Sequence, residues 1–436
     1  MNRRFSDLLA PAAFLVSLVV IATVYGTFAA WRGWFPAPQI GLAHRTLTDL
    51  SKNWKNDFAL EPTRHLVRPD DNDTPPDPDR GFAVRIEDAS ASGYTLVTGL
   101  SERQDESVHV VRLFDDAGQE IHRWPIRYGQ FDPDRQPQNV MLHGMEVFED
   151  GSLAVTFDAG NAIARVDACG APMWVTNGSY HHAITRDGTG QLLTWKGDEI
   201  AWIDAETGDE LRTLSLTDDI IPARDGEQRA YFDIRTRTPE DADEEMTYLA
   251  DPFHPNDAEP LRAEMADAFP MFEAGDVLIS LRELNLVAVV DPESGALKWW
   301  HHGPWIKQHD PDFQPDGTIT VFDNGTDTGR SLIRRIDPAD DSLSVDFAGS
   351  EALPFYTWRR GKHQFLPNGN ILLTEAEHGR ALEVDPEGRL VWERHMPWDE
   401  TQNLIITEAR NVPADFFRNG PPTCEQAEEI ADASGD

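Results

Sequence analysis

The chain is short of positive charge and of cysteine. Lysine and arginine number 38 against 76 aspartates and glutamates, a formal net charge of −38 over 436 residues. That balance argues against nucleic acid and anionic membrane surfaces as partners held by bulk charge. It also makes each small basic cluster informative, because an anionic substrate needs local positive charge to offset the global repulsion. Only two cysteines are present, Cys169 and Cys424, so there is no disulfide framework; the pair forms one bond in an oxidising compartment or none. No CxxC and no Cys/His spacing for zinc occurs, and neither metal nor cofactor is expected. Long apolar runs are missing too, with one exception. Leu8 to Trp31 carries no charge, with Arg3 and Arg4 before it and Trp31, Arg32 and Trp34 at its end. About 20 residues suffice to cross a bilayer as a helix, and the basic N-terminal end belongs in the cytoplasm. Residues 1–34 are therefore expected to be a cytoplasmic stub and an uncleaved anchor, although Ala29 and Ala30 leave cleavage open.

What remains is a globular composition, 40% apolar and 26% charged, long enough for a large core. Residues 35–80 end in RPDDNDTPPDPDR and are expected to be a Pro/Asp-rich linker. From Gly81 the chain repeats itself. Each unit has a turn glycine, a short β-branched or aromatic run, a second run ending in aspartate, another glycine turn and often a tryptophan. Gly151 to Asp167, Gly190 to Asp204, Gly275 to Asp291, Gly317 to Asp337 and Gly369 to Asp385 are separated by 16, 14, 16, 20 and 16 positions, and a looser copy runs up to Trp124. Paired short strands with Asp-Gly and Asn-Gly turns are hairpins. About forty residues per unit is the period of a propeller of four-stranded blades around a channel. The expectation is an all-β, six-bladed β-propeller over 81–419, preceded by one transmembrane helix and followed by an acidic tail, 420–436, with Asn403–Ala409 as the strand that closes the ring. A sandwich of unrelated strands is the bland alternative.

The histidines recur at one place in the repeat. His143, His182 and His309 each stand eight residues before the turn glycine of their unit, in the last unit that slot is Gly361 between Arg360 and Lys362, and His254 opens the fourth unit. That slot is the start of an innermost strand, so these side chains should converge on one mouth of the channel. Three segments carry a resemblance: YHHAITRDGTGQLL, then HPND with LISLRELN, then QHDPDFQPDGTITVFDNG. In order and blade context they resemble the bacterial arylsulfate sulfotransferases, six-bladed periplasmic propellers that pass a sulfuryl group between phenols through a sulfated histidine. The resemblance implies His309 as the sulfated residue, and His182, His254 and Arg282 as the groups that bind and polarise the sulfate. By their place near the mouth, Asn256, Arg360 and Trp358 are candidate substrate contacts, with His143 as a second-rank one and His181 as the alternative to His182 for the paired position. It also implies an aryl sulfate donor, a phenolic acceptor and a periplasmic setting, whereas the expected inner-membrane anchor departs from the family's plain secretory signal. Asp257 departs from the family, many members having a small hydroxyl residue there.

The residue types suit this chemistry. A neutral imidazole attacks sulfur without prior deprotonation and splits one difficult displacement into two. A guanidinium matches the sulfuryl oxygens, and imidazoles that titrate near pH 7 serve leaving phenolate and incoming phenol in turn. Phe253, Trp305, Phe355, Tyr356 and Trp358 are candidate aromatic walls or blade packing. Lys307, Arg359 and Arg360 are candidates to draw an anion in, and the acidic run 238–245 reads as a solvated loop. Two other readings are open: a non-catalytic envelope propeller of the quinoprotein-like kind, and a metal-dependent ester hydrolase built on the gathered histidines.

Overall fold

The computed structural model describes residues 3–58, 60–68, 81–101, 109–232 and 251–424. Most of the RPDDNDTPPDPDR run, the acidic run 238–245 and the tail from 425 lie outside the described residues. The chain forms two compact units, Met1–Arg64 and His65–Asp436.

The first unit holds two helices, α1 over Arg3–Arg32 and α2 over Ala37–Asp57. Within α1, Pro11–Arg32 is 22 residues long with a mean hydropathy of 2.1. By length and composition it can cross a membrane, a test that a signal sequence also passes. The helix α2 corrects the expectation of an irregular linker from residue 35. Its proline lies in the first turn, where the missing N–H costs nothing. Beyond it Ile40, Leu47, Leu50 and Trp54 follow a helical period that the proline-rich flanks disguise.

The second unit is a six-bladed β-propeller. Five blades are consecutive four-stranded antiparallel sheets, and each begins with its innermost strand. Those strands are Met141–Val147 in blade 2, Tyr180–Arg186 in blade 3, Pro255–Pro260 in blade 4, His309–Phe313 in blade 5 and Lys362–Phe365 in blade 6. Blade 1 takes its outer three strands from Tyr94–Leu100, His109–Phe114 and Glu120–Ile126, and its innermost strand from Ala409–Val412 at the other end of the chain. Closure thus uses the segment just after the expected one. Asn403–Leu404 pairs with Leu66–Val67 instead, which brings the start of this unit back to His65, and Phe82–Val84 adds a fifth strand outside blade 6.

Second and third strands are buried on both faces, as in Leu286–Val290, where all five side chains are covered. They read as continuous apolar runs because each blade is sandwiched between two others. Six apolar clusters result, one between each pair of neighbouring blades. Each fully buried Val, Leu or Ile contributes about 1.5–3 kcal/mol. The repeat tryptophans tie neighbours together: Trp124 Nε1 donates to the Gly151 carbonyl at 2.8 Å and Trp174 Nε1 to the Ala205 carbonyl at 3.0 Å, both in the following blade. The outcome is a rigid ring whose innermost strands all enter from one rim.

Candidate active site

At that rim the innermost strands are irregular. Their pairing with the second strands shifts register between Leu142 and Met145, His181 and Ile184, Pro255 and Asp257, and His309 and Asp312. The bulges turn side chains into the channel. His182, His254, Asp310 and Arg360 have φ of 60°, 48°, 49° and 58°, left-handed conformations that ordinary residues keep only where the surroundings enforce them.

The ring of His182 lies 4.5 Å from that of His143, 4.8 Å from that of His181 and 5.1 Å from that of His254. His254 is hydrogen-bonded to the Asp251 carboxylate. The Arg282 N–H donates to the His254 carbonyl at 3.1 Å, and the Arg282 guanidinium pairs with Glu283 at 2.8 Å. In blade 5, His309 Nδ1 lies 2.7 Å from Asn324 Oδ1, while the Arg360 N–H donates to His309 Nε2 at 3.2 Å. Asn324 Nδ2 donates to the carbonyls of Thr357 (2.8 Å) and Arg360 (2.7 Å). Its oxygen must therefore be the atom facing His309, so Nδ1 carries the proton and Nε2 presents a lone pair. Burial is the main cause holding His309 well below 6.5, reinforced by the charges of Arg282, His143 and His254. His182 is also held well below 6.5 by burial, against the pull of Asp158. Burial thus favours the neutral form of both imidazoles.

Asp158 stands among these histidines, its Oδ1 3.1 Å from His143 Nδ1 and 3.7 Å from His182 Nδ1. Burial pushes its pKa up, yet the two imidazoles and Arg360 hold the carboxyl well below the usual range. Other expected residues are placed with different partners. Asn256 is buried, and its Nδ2 donates to the Gln308 carbonyl at 2.8 Å on the strand leading into His309. His181 Nε2 lies 2.8 Å from the Gly197 carbonyl. Arg360 pairs with Glu377 at 2.6 Å, Arg359 with Glu377 at 2.8 Å, and Lys307 with Glu283. Trp358 is exposed beneath the Arg359 guanidinium, whereas Phe253, Trp305 and Phe355 are buried in blade interfaces. For those three, packing is the correct reading. Asp257 pairs with Lys362, which also pairs with Asp310, and this group closes the channel beneath the histidines.

A cavity of about 840 Å³ lies at the far ends of the innermost strands and is lined by ten carboxylates against six lysines and arginines. That balance repels a sulfate ester.

Asp158, Asn324 and Asp251 are the site residues that sequence reasoning missed. Counting seven positions on from the same turn glycines, 151, 275 and 317, reaches Asp158, Arg282 and Asn324. Each stands beside the histidine of its own blade.

Residues 104–396 match the model of the family described as Arylsulfotransferase (ASST). The chain belongs to the arylsulfotransferase family. Membership makes it a sulfotransferase of small aryl molecules in general terms. No curated protein matches this arylsulfotransferase chain. Among solved structures it is similar to a protein of unknown function from Bacteroides caccae, at 12% identity and TM-score 0.47, covering 73% of this chain and 98% of the other. It is also similar to the WD40 β-propeller domain of Doa1, at 13% identity and TM-score 0.41 over 72% and 85%. A third is virginiamycin B lyase from Staphylococcus aureus, at 12% identity and TM-score 0.34 over 59% and 70%. The propeller assignment for this arylsulfotransferase rests on its own six sheets.

Proposed function

We propose that this protein moves a sulfuryl group from an aryl sulfate to a phenol in two steps through a sulfated His309. The observation that carries the reading is the polarised imidazole of His309: neutral, buried, its proton fixed on Nδ1 by Asn324 and its Nε2 lone pair facing the channel rim. In the first step that lone pair forms the N–S bond, and the S–O bond breaks with its electron pair leaving on the phenolate. In the second the acceptor oxygen attacks sulfur, the N–S bond breaks, and the lone pair returns to Nε2. By analogy with phosphoryl transfer the charge sits on the peripheral oxygens. Arg282 supplies charge to them, and the Arg360 N–H that now caps Nε2 is placed to become a donor to one of them. His254, paired with Asp251, provides the proton for the leaving phenolate and takes one from the acceptor. His182, His181, His143 and Asn256 frame the sulfuryl group, and Trp358 offers an exposed aromatic face to the ring. We further propose that α1 anchors the protein in an inner membrane with the propeller on the periplasmic side.

The test is transfer from an aryl sulfate to a phenol by purified protein. His309→Ala should abolish turnover with the fold intact, and Arg282→Ala should slow it by on the order of 100-fold or more. Unchanged turnover in His309→Ala would refute transfer through that residue, and a well-folded wild type with no transfer at all would favour a binding propeller.

A further inference from the structure

The sulfuryl-transfer reading leaves Asp158 unexplained. A carboxylate 3.1 Å from His143 and 3.7 Å from His182 repels the oxygens of a sulfate. The rim as described carries no surplus positive charge either. Arg282 and Lys307 pair with Glu283 and Arg359 and Arg360 with Glu377, while Asp158 and Asp251 cancel what is left over. That is four cations against four carboxylates, so a further cation would favour an anion drawn to this place.

We propose that His143 Nδ1, Asp158 Oδ1 and His182 Nδ1 form a binding site for a divalent transition metal of the zinc class. The three atoms lie within 4.8 Å of one another. Metal–nitrogen and metal–oxygen bonds of about 2.0–2.2 Å around a tetrahedral ion put neighbouring donor atoms about 3.3 Å apart, and the two separations to Asp158 bracket that value. A further observation comes from His143, whose side chain is 8% exposed and whose Nδ1, aimed into the cluster, lies 3.1 Å from Asp158 Oδ1 without an aligned hydrogen bond. A buried nitrogen so poorly paired is costly, and a metal ion relieves the cost. His181 backs the cluster. Its Nε2–H donates to the Gly197 carbonyl at 2.8 Å, which is how a metal-facing imidazole is usually oriented. Its bare Nδ1 consequently accepts a hydrogen bond from the His182 Nδ1 proton at 2.5 Å, a proton that an ion bound at His182 would displace. Two imidazoles and a carboxylate suit zinc or its neighbours better than calcium or magnesium, which prefer all-oxygen shells.

The bound ion would add two positive charges beside the sulfuryl oxygens, a consequence that rests on the transfer reading; metal binding itself does not. Untagged full-length protein, stripped with EDTA, should bind one Co2+ per chain with visible d–d absorption, and Zn2+ should displace it. His143→Gln and Asp158→Asn, near-isosteric changes on two different strands, should each weaken binding at least tenfold, with tryptophan emission reporting an intact fold. His302→Ala, in the outer strand of blade 4, should bind as wild type. X-ray absorption of the wild-type Zn2+ complex should show imidazole and oxygen ligands, a readout independent of any variant. Absence of stoichiometric Co2+ in the wild type, wild-type affinity in either folded variant, or an all-oxygen shell overturns the proposal. No aryl sulfate is present in these measurements, so a failed transfer assay does not alter their outcome.

Discussion

At His309 two hydrogen bonds divide one imidazole into a donor side and a lone-pair side. Asn324 is held by two carbonyls and cannot present its amide N–H to the ring, so the tautomer is chosen by a neighbour that never meets the sulfur. Asn324→Leu removes the nearer acceptor of the Nδ1–H and leaves it only the Lys307 carbonyl at 3.1 Å, which loosens the hold on the tautomer. It should lower kcat by about 100-fold with KM changed only a few-fold, as steady-state kinetics on an aryl sulfate would show. An equal loss in a KM-dominated pattern would mean that Asn324 binds substrate. The histidines themselves are legible in the sequence because they share one offset from a turn glycine. Asn324, Asp158 and Arg282 share a second offset, but they are three different residue types, and a pattern of unlike chemistries does not announce itself. The pairing of Arg282 with Glu283 and of Arg360 with Glu377 depends on distances between side chains, which spacing does not encode.

Among elements, the bulged starts of the innermost strands do the positioning. Gly144 is where blade 2 comes closest to blade 3. A Cβ there would lie 2.2 Å from the His182 carbonyl oxygen and 2.7 Å from Thr156 Oγ1. The Thr156 hydroxyl in turn donates to the His182 carbonyl, so the two blades meet at the residue that carries the cluster. Gly144→Ala should push His182 away, reducing transfer at least tenfold and lowering the unfolding free energy by about 1–3 kcal/mol. A fully active and equally stable variant would show that the blades can shift freely here. The bulges are not foreseeable from alternation alone, since a strand that inserts one residue looks like a slightly longer strand. The helix α2 is hidden for a related reason. Proline-rich flanks set the local composition, and the apolar period between them is easily taken for linker.

For the whole molecule, six repeats make the ring legible, whereas the closing strand falls a few residues from its expected place because NLIITEA has as much strand character as its neighbour Ala409–Val412. The far end of the channel is not legible at all. There Glu259, in the innermost strand of blade 4, accepts the Phe313 N–H at 2.8 Å, and burial, with Asp257 and Asp310 nearby, pushes its pKa from 4.5 up to about 8. A carboxyl raised in the folded state contributes stability that is complete below 4.5 and is lost as pH rises towards 8, because the unfolded chain releases its proton first. Glu259→Gln keeps the acceptor and removes the titration. Relative to wild type it should gain on the order of 1 kcal/mol or more between pH 5 and pH 8, measured by denaturant unfolding at both. The same difference at the two pH values would place the proton elsewhere in the channel.

A covalent bond between sulfur and one nitrogen is central to the proposed transfer. Protein mixed briefly with an aryl sulfate, without acceptor, and digested under alkaline conditions that spare phosphoramidate-like bonds should yield one peptide carrying a single added sulfuryl group. Mass spectrometry should place that group on His309, and it should disappear when a phenol is added. A sulfuryl group on any other residue, or product formed with no modified peptide at all, would contradict transfer through His309.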